Sequence, residues 1–114
     1  MIFTTRVEDG SCVVSLGGRL DTVTSPACEE KFRDLVSAGH LAVVIDLATL
    51  DYISSIGLRV LLQVARQLKE RNGKVCLANA THNVMSVFEM TNFTRILLIK
   101  SSVDEALESM REKE

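Results

Sequence analysis

The sequence predicts an α/β fold in which one mixed β-sheet opens with a hairpin and carries about four helices, packed mainly on one side. Three observations predict it. Two β-patterned runs near the start flank Asp9-Gly10, a strong two-residue hairpin signal. Leu41 to Leu47 is apolar apart from Asp46, too short for a helix and patterned like a strand covered on both faces. Beyond it, short apolar strands alternate with segments whose apolar residues recur at helical spacing, the pattern of strand–helix–strand crossovers. With 114 residues, 46% of them hydrophobic and 25% charged, the chain is expected to form a single domain over 1–114 around one core.

Ile2 to Glu8 and Cys12 to Leu16 supply the hairpin strands, and Gly17-Gly18 suits a bulge or turn. Ser25-Pro26 reads as a helix N-cap followed by proline at the first helical position. Cys28, Phe32, Leu35 and Val36 keep helical spacing and Gly39 suits the position after the last turn, so the first helix is expected over roughly 26–38. The apolar run from Leu41 is expected at the centre of the sheet, and Ala48 to Ile53 links it to a helix that begins near Ser54-Ser55 and runs to Arg71. Asn72-Gly73 stops that helix, and Lys74 to Ala78 forms the next strand. Thr81 to Met90 places Val84, Val87 and Phe88 on one helical face, with Met85 and Met90 as core or rim packing residues, and Ile96 to Ile99 is a strand candidate. Ser102-Val103-Asp104-Glu105 is a capping box opening a last helix striped by Val103, Ala106, Leu107 and Met110, and the charged tail from Arg111 is expected to fray.

Composition excludes several function classes. The net charge is −2, the pI is near 5.7 and the Lys and Arg residues are scattered, so no direct grip on nucleic acid is expected. The opening residues lack a signal-peptide pattern and no apolar run approaches a membrane span, which places the chain in the cytoplasm without membrane insertion. Cys12, Cys28 and Cys76 form no CxxC pair and sit in apolar stretches, as buried thiols do. With two histidines, His40 and His82, no metal site and no cofactor are expected. Ser55, His40, His82 and several aspartates lack a GxSxG elbow, so a hydrolase is the minority reading.

Chemistry concentrates in Ser54-Ser55-Ile56-Gly57-Leu58, where two hydroxyls and a glycine stand at a helix start. Unbonded amides and the positive end of the helix dipole gather there, so a phosphate carried by Ser55 would be held by first-turn amides that Gly57 leaves uncovered. The bland alternative is a plain serine N-cap. Stepping 100° per residue, Leu58, Val60, Leu61, Val64, Ala65 and Leu68 form the core face, opposite Arg59, Gln63, Arg66 and Glu70. Ile56 falls among the polar set. Either Ser55, Ile56, Arg59 and Gln63 border an exposed docking surface, or Ile56 tucks under the preceding loop or onto Tyr52. Arg59, four residues past Ser55, is within reach of an added phosphate.

Several stretches together resemble a STAS domain of the bacterial anti-sigma factor antagonist kind. They are Gly18-Arg19-Leu20-Asp21, Ile45-Asp46-Leu47, Tyr52-Ile53-Ser54-Ser55-Ile56-Gly57-Leu58-Arg59-Val60-Leu61 and Val87-Phe88-Glu89-Met90-Thr91-Asn92-Phe93. The resemblance implies a non-enzymatic partner-switching regulator that docks on an anti-sigma factor serine kinase, frees a sigma factor for transcription, and is switched off by phosphorylation. By resemblance the modified serine is Ser55, two residues before the Gly-Leu pair. Ser54 is a second candidate, standing where the family often has aspartate. Asp21, with its neighbour Thr22, corresponds to the acidic loop facing the phosphorylation site, so partner contacts are expected from Asp21, Thr22, Ser54, Ile56, Gly57, Arg59 and Gln63. A PP2C-type phosphatase would reset the switch, and the free protein is expected to be a monomer or weak dimer. Two rivals remain: a STAS subunit of a lipid-transport or stress-signalling scaffold, and a small nucleotide-binding protein or enzyme that holds a ligand phosphate at the Ser55 helix terminus.

Overall fold

Asp9 and Gly10 take φ of 53° and 80°, the pair of positive values a two-residue hairpin turn needs, and join β1 (Ile2–Glu8) to β2 (Ser11–Leu20). The computed structural model describes residues 1–111 of the chain. After the hairpin come α1 (Ser25–Ser37), β3 (Ala42–Ile53), α2 (Ser55–Glu70), β4 (Lys74–Ala78), α3 (His82–Met90), a 3₁₀ turn (Phe93–Arg95), β5 (Ile99–Lys100) and α4 (Val103–Arg111). The strands lie in the order β1-β2-β3-β4-β5, with β1 antiparallel to β2 and every later pairing parallel.

That order explains the layering. Each crossover steps one strand in the same direction, and right-handed crossovers then put α1, α2 and α3 on one face. The main core joins Cys28, Phe32 and Val36 of α1, Leu58, Leu61, Val64 and Leu68 of α2, and Val84 and Phe88 of α3 to Val43, Ile45 and Leu47 of β3. α4 covers the other face, packing Ala106 and Leu107 on Val13, Val44, Cys76 and Ala78. Alternate residues of β3 therefore enter different cores, which is why the run from Leu41 is apolar without alternation. The expected α4 stripe holds, since Val103 and Met110 pack against the same cluster. All three thiols are buried, and burial pushes that of Cys28 up to about 12.

Five details differ from the sequence reading. β3 continues to Ile53, so Ala48 to Ile53 is strand and no linker; Thr49, Leu50, Tyr52 and Ile53 pair with Gly17, Gly18, Arg19 and Leu20 across two register shifts. Gly18, at φ 90°, supplies the backbone turn that this bulged pairing needs. Helix α1 is preceded by Thr24 at the cap position, with Ser25 already helical and buried, and the Thr24 hydroxyl donates to Arg19 O at 2.8 Å instead of capping. The strand expected over 96–99 shrinks to Ile99–Lys100: Phe93 stacks on Phe88 at 4.9 Å and draws the chain into the 3₁₀ turn. Met90 is 83% exposed and packs in no core. Around α4, Glu105 N–H donates to Ser102 Oγ as a capping box requires, yet the Glu105 carboxylate returns to Ser101, accepting from its hydroxyl at 2.7 Å. Arg111 ends α4, and the rest of the tail expected to fray lies outside the described residues.

Gly57 locks the start of α2 against the end of β2. A Cβ there would stand 2.7 Å from the Leu20 carbonyl oxygen and 2.9 Å from side-chain atoms of Leu20 and Ile53. Helix propensity alone predicts that Gly57→Ala stabilises α2 by about 1 kcal/mol. The contact reverses the sign, and overpacking should destabilise the protein by about 1–3 kcal/mol, read as a lowered midpoint in urea unfolding.

Candidate functional site

Three chain segments meet at the C-terminal end of β3, where α2 begins. Leu20, the last residue of β2, faces Ile53, the last of β3, and its carbonyl accepts from Ser54 N–H at 2.9 Å. The loop that follows Leu20, residues 21–24, is thereby held beside the first turn of α2. Parallel strands bring their C-terminal ends to one edge, where sites in open α/β sheets form.

The two adjacent serines have different environments. Ser54 has extended backbone, φ −93° and ψ 174°, and its hydroxyl accepts from Gly57 N–H at 3.1 Å. It is the N-cap of α2, so the plain-cap reading applies to Ser54. Ser55 is the first helical residue and is exposed, and among the described residues no protein group hydrogen-bonds its hydroxyl. Of the four amides a helix start leaves unbonded, Ser54 N–H and Gly57 N–H have acceptors; those of Ser55 and Ile56 have none among the described residues. No acidic side chain occupies the first turn, so the positive end of the dipole is uncompensated there.

The remaining α2 residues divide. Arg59 is exposed one turn beyond Ser55, as expected. Ile56 is half-buried, between the stranded and tucked alternatives. Two residues expected on the surface are placed otherwise. Gly57 is buried, so it acts as a spacer against Leu20 and offers no face to a partner. Gln63 is half-buried, with its Oε1 shielded from solvent and without a hydrogen-bond partner among the described residues, because it lies at the margin of the core face.

Asp21 is committed to its own loop. Its Oδ1 accepts from Val23 N–H at 3.0 Å, from Thr24 N–H at 3.1 Å and from the Thr24 hydroxyl at 3.3 Å, while Oδ2 lies 3.6 Å from Arg19 Nε. Thr22 and Val23 at the tip are exposed, Val23 by 85%. Behind the loop, Arg19 stacks on Tyr52 with 4.2 Å between its guanidinium carbon and the ring centroid. The sequence reading gives Arg19 and Tyr52 no contact with each other and Val23 no role. Arg19 and Tyr52 pair only through the bulged register, and Val23 carries no periodicity; the signal available was one apolar residue in a polar loop.

The hydrogen bonds, led by Thr24 N–H, hold the Asp21 carboxyl below the usual carboxylate range. A depressed folded value means that the loop's contribution is complete above the unfolded value, near 3.9, and is lost as pH falls through the lower folded midpoint. Carboxyl-carbon NMR should show Asp21 titrating below about 3.9, with the Val23 and Thr24 amide shifts following the same curve, and Asp21→Asn should leave those amides without that transition.

The model of the STAS domain matches residues 3–106. Among curated proteins, BtrV of Bordetella bronchiseptica, named "putative anti-sigma factor antagonist", is 37% identical over 98 residues, 86% of this chain and 84% of BtrV. Among solved structures, a protein from Thermotoga maritima described as a "putative anti-sigma factor antagonist" superposes with a TM-score of 0.91 at 21% identity, covering 96% of this chain and 95% of that one. The Bacillus cell fate determinant SpoIIAA in its phosphorylated form gives a TM-score of 0.74 at 20% identity, covering 96% of this chain and all of the other. From the matched span and the BtrV identity together, the chain belongs to the STAS domain family.

Proposed function

We propose that this STAS protein is an anti-sigma factor antagonist controlled by phosphorylation of Ser55. Unphosphorylated, it docks on a kinase-type anti-sigma factor through the surface around the start of α2 and frees the sigma factor that partner held. The observation that carries this reading is the division of labour between the serines: Ser54 spends its hydroxyl on capping Gly57, whereas Ser55 is exposed with an unengaged hydroxyl. The name of BtrV and the phosphorylated state of SpoIIAA support it. Thr22 and Val23 at the loop tip, together with Ile56 and Arg59 on α2, are the contacts proposed for the kinase, and Asp21 shapes the loop that presents them.

The switch follows from charge. Kinase transfers the γ-phosphoryl group of ATP to Ser55 Oγ, releasing ADP and a proton, and leaves about −1.5 to −2 charge at the helix start. The amides of Ser55 and Ile56 and the Arg59 guanidinium can accept that charge without refolding. A partner that must bury it pays desolvation. Binding falls, and a PP2C-type phosphatase restores it by hydrolysis. The protein acts in the cytoplasm, where sigma factors act.

Incubation with its kinase and ATP, followed by mass spectrometry, tests the assignment. Ser55→Ala should lose the label entirely. Ser54→Ala should keep it while losing about 1 kcal/mol of stability with its cap. Label persisting in Ser55→Ala overturns the assignment.

A further inference from the structure

β1 is an outer edge of the sheet, bonded to β2 on one side and, among the described residues, to nothing on the other. The strand is continuous from Ile2 to Glu8, with no bulge, no proline and seven paired residues. Such an edge offers a row of peptide groups for pairing. Which groups face outward follows from the hairpin. A two-residue turn closes on a hydrogen-bonded pair, here Glu8 and Ser11, so alternation bonds Arg6, Thr4 and Ile2 to β2 and turns the peptide groups of Phe3, Thr5 and Val7 away from it. The usual guards are weak. Arg6 and Glu8 neutralise each other at 3.0 Å, and Ile2 and Val7 are 62% and 66% exposed. On the helix side, between β1 and α1, lies a groove whose apolar lining of Phe3, Val7 and Leu35 is bordered by Lys31, Asp34 and His40.

We propose that this edge is a homodimer interface: two copies pair β1 to β1, antiparallel about a twofold axis through Thr5, to form a ten-stranded sheet. The strand is self-complementary in that register alone. Thr5 faces the partner's Thr5, Phe3 faces the partner's Val7, Thr4 faces the partner's Arg6 and Ile2 faces the partner's Glu8. Every outward peptide group is then bonded, in three facing pairs that exchange two hydrogen bonds each. Phe3 with the partner's Val7 is an aromatic–β-branched pair, made twice, on the groove side. Other registers fail. Centring on Arg6 opposes two guanidinium groups, centring on Thr4 leaves Val7 against the partner's Met1 beyond the strand, and centring on Val7 pairs only residues 6–8. The charges of Arg6 and Glu8 cancel, so the strand offers an acidic or basic peptide no net attraction and meets its own copy without net repulsion. The axis stands perpendicular to the sheet, so both helix faces lie on one side and the two grooves join.

Sedimentation velocity of the full chain over a concentration series should show a reversible dimer by about 0.1–1 mM. Thr5→Pro removes an outward N–H and leaves the β2 ladder intact, so it should be monomeric with unchanged circular dichroism. Thr5→Lys, which opposes two ammonium groups, should behave alike even if the proline variant misfolds. Register is read by cross-linking. The native thiols are buried, so Thr5→Cys carries the one exposed thiol among the described residues, and a facing pair spans about 5.5 Å between Cα atoms, within disulfide reach. Oxidised glutathione, taking up two electrons and two protons per disulfide, should cross-link Thr5→Cys, while Thr4→Cys and Arg6→Cys, displaced diagonally, should dimerise without forming the cross-link. A wild type monomeric to about 1 mM, a dimer that survives both Thr5 substitutions, or preferred cross-linking at Thr4 or Arg6 overturns the proposal.

Discussion

The hydrogen bond from Ser54 N–H to the Leu20 carbonyl is the contact on which the site depends. It ties the end of β2 to the cap of α2, across the last pairing of the parallel ladder, Leu20 with Ile53. That carbonyl is also the atom a Cβ on Gly57 would strike. One backbone oxygen therefore fixes how closely the helix approaches the strand, where the 21–24 loop leaves, and which serine is spent on capping. Had the ladder ended at Leu47, with Ala48 to Ile53 a linker, nothing would anchor Ser54. The loop and the helix start would then be independent. Extending β3 six residues past its apolar run makes them one surface.

Much of the architecture was legible because its elements are defined by local chemistry. The hairpin turn at Asp9-Gly10, the stop at Asn72, the short strand from Lys74 and the apolar stripes of α2 and α4 each follow from a few neighbouring residues. What escaped depends on partners distant in sequence. Pairing 49–53 with 17–20 requires two register shifts, which no periodicity announces. The 3₁₀ turn depends on Phe93 reaching Phe88, and the run 96–99, apolar enough for a strand, yields mostly to that contact.

The site was legible to a similar depth and failed for similar reasons. A helix start with paired hydroxyls could be located, but not which hydroxyl caps, because a side-chain bond from residue 54 to residue 57 depends on where the helix begins by a single position. The sequence reading credited Gly57 with exposing amides. The structure gives it a packing role, since a missing Cβ serves close backbone approach as readily as it serves a ligand. Asp21 was matched to an acidic recognition loop, yet its carboxylate is occupied by Val23 and Thr24. A carboxylate so engaged acts by setting loop shape more than by offering free charge.

That distinction bears on how a phosphate at Ser55 would act on a docked partner. Long-range repulsion between exposed charges is screened beyond about 8 Å at physiological ionic strength, and the chain is already acidic, with a net charge of −2. Added field is therefore a modest deterrent at a distance. At contact the situation differs. Burying a dianion against a partner removes its hydration, at an effective cost of several kcal/mol per ion, whereas each 1.4 kcal/mol is tenfold in affinity. The amides of Ser55 and Ile56 would offset part of that loss in the free protein and in the complex alike, so they would stabilise the phosphorylated state without rescuing the interface. A helix start that receives phosphate well is thus compatible with strong inhibition of docking, and the two properties need no change of fold to coexist.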